Sequence, residues 1–207
     1  MNPFVIGITG GMGSGKSYVA GLLHTLYNIP VYDCDREARR IMVENDHVRQ
    51  QLCELIGADA YTANGQLNKP VIAAYLFGSQ AHAASVNAIV HPAVKADFRL
   101  WTAAQTAQTG VWLVAVESAI LIEAGFTDTV DCVVAIEAPE ELRIQRAIQR
   151  DGTTALQARQ RLAHQLTDSE RRPHACCVVT NDGRPLLPQL QPLVQQLLVK
   201  THKSGFD

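Results

Sequence analysis

What this sequence lacks narrows its class before any motif is considered. No uninterrupted apolar run approaches the roughly 18 residues that a membrane-spanning helix needs. Neither sign of charge predominates: 18 Lys and Arg stand against 20 Asp and Glu, for a formal charge of −2. That balance offers no basic footprint for nucleic acid and no polybasic patch for a membrane surface. The N-terminus, MNPFVIGITGG, goes straight into an apolar strand without the basic region and small-residue cleavage site of a signal peptide. Cysteines are scarce and form no CxxC pair, and Cys34, Cys53, Cys132, Cys176 and Cys177 have no ligand-like spacing. Reduced cysteines and a cytoplasmic location are therefore expected. Internal repeats are absent too, and the only low-complexity stretch is the tail THKSGFD.

What is present is the profile of a folded domain. Apolar residues make up 47% of the 207 positions and charged residues 18%, enough for one well-buried domain with small insertions. Five β-rich runs alternate with helix-like segments: FVIGIT (4–9), IPVYD (29–33), VWLVAV (111–116), VDCVVAI (130–136) and CCVVT (176–180). Most are continuously apolar, as a sheet buried on both faces requires. Strands separated by helices predict parallel βαβ units, hence an α/β fold. The connection from 34 to 110 is longer than a crossover needs, and it carries helical patterns from Ile41 to Ile56 and from Val71 to Phe77. A helical subdomain over 36–108 is expected there. A second insertion, 143–172, is polar and rich in Arg and Gln. Leu186, Leu190, Leu193, Val194, Leu197 and Leu198 recur at helical spacing, with Pro188 and Pro192 obscuring where that helix starts.

The strongest motif follows the first run. GGMGSGKS, residues 10–17, fits GxxxxGK[ST], with a strand before it and Val19, Leu22, Leu23 and Leu26 continuing a helix after it. Glycines let the backbone of Gly11, Met12, Gly13, Ser14 and Gly15 curl until N–H groups point at phosphate oxygens. A helix N-terminus adds a positive field. Lys16 reaches the β- and γ-phosphates, and the Ser17 hydroxyl suits Mg²⁺. Such a loop serves GTPases, motors and small-molecule kinases alike. The late-strand sequence TNDG (180–183) does not match the guanine-reading NKxD. A short chain with a helical insertion after the second strand and an Arg-rich segment after the fourth has the layout of a nucleoside-type kinase, the latter segment closing over ATP as a lid.

GITGGMGSGKS, DCDREAR, VNAIVHPAV, AILIEAG, RAIQRD, RLAHQ and TNDG, in that order and at those separations, resemble the dephospho-CoA kinase family from about residue 4 to residue 184. The combination of Asp-x-Asp-x-x-x-Ala-Arg with a later His-Pro is more discriminating than the phosphate loop alone. The resemblance implies a three-layer fold, a five-stranded parallel sheet with helices on both faces, plus a helical CoA-side domain and a lid. It implies ATP-dependent phosphorylation of the ribose 3′-hydroxyl of dephospho-CoA, the last step of coenzyme A synthesis. One departure is Ala119, where the family commonly has proline before its Leu-Leu-Phe-Glu stretch.

The resemblance also suggests roles. Asp35 is the expected base for the acceptor hydroxyl, and Asp33 orients a Mg²⁺-bound water or holds the loop; the alternative is that both cap the following helix. Arg39 reaches an anionic group of the acceptor or makes an i,i+4 ion pair with Asp35. Glu117 binds a Mg²⁺ water or is an ordinary strand-end carboxylate. Arg143, Arg146 and Arg150 share a helix face, and Arg146 is the expected ATP contact. Around Asn181, Asp182 and Gly183, where the family places its adenine, backbone groups are expected to read the base, so side-chain identity says little. His91 contacts the acceptor side or is simply packed. Cys34, between two carboxylates, is read as a small packing residue.

Overall fold

The computed structural model describes residues 3–109, 111–163 and 165–203. Its elements run β1 (Phe4–Thr9), α1 (Lys16–Tyr27), β2 (Val31–Asp33), α2 (Cys34–Glu44), α3 (Asp46–Ile56), α4 (Lys69–Gly78), α5 (Gln80–Thr109), β3 (Leu113–Glu117), β4 (Cys132–Glu137), α6 (Glu140–Asp151), α7 (Ala155–Ala163), α8 (Asp168–Arg171), β5 (Cys177–Thr180) and α9 (Leu187–Lys203). All five strands pair in parallel, in the order β2-β3-β1-β4-β5. The apolar runs set this outcome, because a parallel sheet hides both faces and cannot accept polar alternation. Ile6, Ile8, Val134 and Ile136 point to one face and pack with Val19 and Leu23 of α1 and Leu190, Val194 and Leu197 of α9. The opposite face, with Val5, Val114, Val116, Val133 and Ala135, is buried as well.

The chain divides into two compact units, residues 1–33 with 102–207, and residues 34–101. The sheet belongs to the first. The second is helical, and its helices are delimited locally. The apolar pattern from Ile41 to Ile56 is split at Asn45, whose side chain accepts the Val48 N–H at 3.1 Å and starts α3. An ion-pair cluster ties α2 to α5: Arg40 donates to both oxygens of Asp97 at 2.7 Å, to Glu37 at 2.6 Å and to Glu44 at 3.2 Å. The Tyr61 hydroxyl donates to the Met42 carbonyl at 2.7 Å, and the Arg49 guanidinium lies 4.6 Å above the Tyr61 ring.

Two details of the apolar patterns resolve here. In α1, Val19 and Leu23 are buried while Leu26 is exposed; in α9, Leu198 is exposed while the other five positions of its stripe are buried. Helix α9 begins at Leu187, so Pro188 falls in its first turn, where no N–H is required, while Pro192 lies inside the helix.

The cysteine expectation is overturned at one pair. Cys132 opens β4, Cys176 immediately precedes β5, and the two form a disulfide with Cα atoms 5.9 Å apart and a sequence separation of 44. Pairing of β4 with β5, which no local spacing reveals, brings them together. Cys34, Cys53 and Cys177 stand outside the disulfide, and Cys34 is buried. A loop of this length stabilises by about 2–4 kcal/mol in the chain-entropy account. Dithiothreitol is therefore expected to lower the thermal midpoint of the wild-type protein, and Cys176→Ser to lower it similarly and abolish the response. Identical dithiothreitol sensitivity in both proteins would show that no such bridge stabilises the fold in solution.

Candidate active site

Strand order places a switch point at β1: its neighbours are β3 on one side and β4 on the other, and the chain leaves β1 directly into the glycine loop. Ligands of open parallel sheets sit beyond such carboxyl ends. Five strand ends therefore contribute here: Asp33 from β2, Glu117 from β3, the loop from β1, Glu137 from β4, and Asn181 just after β5. Register fixes two of them as neighbours, since Asp33 pairs with Glu117 across β2 and β3.

The loop wraps as its glycines allow. Gly13 and Gly15 have φ of 76° and 88°, in the left-handed region. Space restricts these positions as tightly as conformation: a Cβ at Gly13 would overlap the Arg143 carbonyl, and one at Gly15 would overlap the Asn181 side-chain nitrogen. Helix α1 starts at Lys16, so its free N–H groups and positive end face the loop. Lys16 is buried to 8% exposure, with Nζ 3.7 Å from Glu117 Oε1. The Ser17 hydroxyl donates to the same oxygen at 3.2 Å. A lysine, a hydroxyl and a carboxylate thus meet at one point beside the loop. The Ser17–Glu117 oxygen set suits a hard cation that keeps several waters and leans on substrate phosphates. Among the described residues no cluster of three or more His, Cys, Asp or Glu side chains offers an alternative cage.

The arginine stripe of α6 separates into different roles. Arg143 is buried and donates through Nε to the Met12 carbonyl at 3.1 Å. Arg146 Nη1 reaches the carbonyls of Gly13 (3.3 Å), Ser14 (3.4 Å) and Asn181 (3.2 Å), and its Nη2 reaches Asn181 Oδ1 at 3.2 Å. Arg150 pairs with Asp151 at 2.7 Å near the exposed end of the helix, and Arg161 lies 3.6 Å from the same carboxylate.

Asn181 has a structural part beside the backbone contacts expected of its loop. The residue is buried, its Nδ2 donates to the Ser14 carbonyl at 2.8 Å, and its own N–H donates to the Glu137 carbonyl at 2.7 Å. No local signal marks this, because Ser14 and Asn181 are 167 residues apart in sequence. One further residue escaped sequence reasoning, and a second was marked only by its place in RLAHQ. Glu137 is buried and takes a two-pronged ion pair from Arg172, at 2.8 and 2.7 Å. Gln165 accepts the Met12 N–H at 2.8 Å. Beside Arg146, Gly15 and Asn181, a cleft of 490 Å³ opens, walled also by Tyr18, Gly183 and Leu186.

The remaining predicted residues belong to the helical unit. Helix α2 begins at Cys34, one residue after β2 ends, so Asp33 lies on the strand and Asp35 in the first turn of the helix. Asp35 and Arg39 are both exposed, and among the described residues no ion pair joins them, which removes the i,i+4 account of Arg39. His91 lies inside α5, half-buried; burial first, and Lys95 second, lower its pKa below the ordinary histidine value.

Comparison with known proteins places this geometry. A family model described as dephospho-CoA kinase matches residues 4–186. The dephospho-CoA kinase of Bacteroides fragilis (strain YCH46) is 44% identical over 198 residues, covering 95% of this chain and 94% of that protein. Among solved structures, TT1252 from Thermus thermophilus superposes with a TM-score of 0.78 at 29% identity, covering 97% of this chain and 98% of that one. The dephospho-CoA kinase from Campylobacter jejuni shares the fold at a TM-score of 0.65 and 18% identity, over 97% and 98% of the two chains. With a family model spanning nearly all its elements and a relative this similar over almost its whole length, the chain belongs to the dephospho-CoA kinase family.

Proposed function

We propose that the protein transfers the γ-phosphoryl group of ATP to the ribose 3′-hydroxyl of dephospho-CoA, giving CoA and ADP. The observation that carries this reading is the meeting of Lys16, Ser17 and Glu117 beside a glycine-lined phosphate loop, in a chain of this family. Phosphoryl transfer asks little covalent chemistry of a protein; it asks for positioning and for neutralisation of charge.

Each residue takes a part of that work. N–H groups of the loop up to Ser17, that of Met12 excepted, hold phosphate oxygens, and Lys16 balances charge between the β- and γ-phosphates. Mg²⁺, held by Ser17 and by Glu117 through water, would supply further neutralisation of phosphate charge. Arg146 fixes the loop and the wall of the cleft in which we place the base, and the segment 143–172 acts as the lid. The unit 34–101 carries the acceptor-side groups Asp35, Arg39 and His91. Asp35 accepts the proton of the attacking hydroxyl late in the reaction, and Asp33, paired in register with Glu117, orients metal-bound water. Exposure of Asp35 leaves its carboxylate accessible to a substrate hydroxyl.

ADP release from Mg-ATP is expected to rise strongly when dephospho-CoA is added, with CoA formed in equal amount, and to stay at background with shikimate or nucleoside monophosphates. Release stimulated by one of those acceptors instead would overturn the substrate assignment, and release indifferent to any acceptor would point to a nucleotide switch. Asp35→Asn is expected to lower kcat by about 10²- to 10⁴-fold while ADP affinity is retained. A variant with near wild-type turnover would remove Asp35 from the base role. Asn181→Leu, which removes the amide bridging Ser14 and Arg146, is expected to weaken ADP binding by about tenfold, measured by calorimetry.

A further inference from the structure

We propose that Gln165 is a positioning residue for phosphoryl transfer, one arm of a clamp that grips the crest of the phosphate loop at Met12 from the side away from the nucleotide. This rests on the phosphotransferase reading above. Gln165 Oε1 accepts the Met12 N–H at 2.8 Å, and Arg143 Nε donates to the Met12 carbonyl at 3.1 Å. Both polar groups of one residue are thereby committed to side chains more than 130 positions away: the two separations are 153 and 131. A loop whose purpose is to offer N–H groups to phosphate has here given one of them to a glutamine. That N–H holds the loop and is not available to a ligand.

Both arms share one foundation. Arg171, with 1% exposure, donates to the Leu166 carbonyl at 2.6 Å, fixing the residue next to Gln165. It also donates to Asp168 Oδ1 at 3.0 Å, the oxygen that Arg143 Nη1 approaches at 3.5 Å. Glu123 Oε1 accepts the Leu166 N–H at 3.3 Å from the other side. The turn 165–168 is thus built on a buried arginine, and Thr167 closes it as a capping box with Glu170. Burying a guanidinium is costly unless its partners are well placed. A cost of this kind, met just where the turn touches the phosphate loop, points to a demand for rigidity at Met12.

The crest lies at the opposite end of the loop from the helix N-terminus, whose N–H groups are placed for the inner phosphate. Loosening the crest should therefore disturb the terminal phosphate selectively. Gln165→Met keeps the side-chain length and removes the acceptor. In calorimetric titrations of Mg-AMP-PNP and Mg-ADP, this variant is expected to bind ADP with full stoichiometry. The ratio of the two affinities should shift against the triphosphate analogue by about threefold or more, and kcat should fall about 10- to 100-fold. Partial unfolding would reduce stoichiometry and leave the ratio alone, so a smaller change in that ratio overturns the proposal. If Gln165→Met does not fold, Asp168→Asn, which loosens the anion shared by Arg143 and Arg171, is judged by the same ratio. Wild-type turnover with dephospho-CoA is measured alongside. Its absence would sink the phosphotransferase reading, with the affinity ratio still deciding whether the clamp exists.

Discussion

A backbone that turns its N–H groups toward a phosphate must turn its carbonyls the other way, into the protein, where each needs a donor. Most of the local architecture of the first unit answers that demand. The carbonyls of Met12, Gly13 and Ser14 are taken by Arg143, Arg146 and Asn181, which come from α6 and from the end of β5. Positive side chains suit the task, because charge-assisted donors are the stronger kind and add to the field that a polyanion would meet. Two arginines of α6 therefore serve the back of the loop. The glycines are required for the same reason, since the donors approach so closely that a Cβ at Gly13 or Gly15 would collide with them.

Much of the fold was legible because it follows from local chemistry. The phosphate loop is a contiguous motif whose glycines, lysine and serine act through their own backbone and immediate neighbours. The strand runs were readable because burial on both faces writes itself into sequence as unbroken apolarity. Their limits moved slightly: VWLVAV was read as a strand from Val111, while pairing with β1 carries β3 from Leu113 to Glu117. Hydrogen-bonded register sets those limits, and register is a property of two strands.

The rest was illegible where meaning depends on distant partners. A stripe of Arg143, Arg146 and Arg150 reads identically for three solvated residues and for one buried brace, one bridging donor and one surface ion pair. Gln165 is marked by the RLAHQ motif but nothing local tells that its partner is Met12, and Asn181 reads as a turn residue. Cys132 and Cys176 pair only because β4 lies beside β5. The DCD stretch illustrates the division within three residues. Asp33 ends a strand and its neighbour across the sheet is fixed by pairing; Asp35 begins a helix and takes its place from the helical unit.

The disulfide encloses α6, α7 and α8, and with them Arg143, Arg146 and Gln165, which grip the phosphate loop. Its two cysteines sit at the carboxyl-distant ends of β4 and β5, so the segment leaves the sheet and returns to it through a covalently closed base. A single cut in an exposed turn, such as the one around Gly152, would leave two polypeptides still joined. Arg143 and Arg146 would stay on the piece ending at the cut, Gln165 on the other, and the bridge would hold both in register with the sheet. The segment is in this respect a tethered ring, in which connectivity no longer depends on every peptide bond.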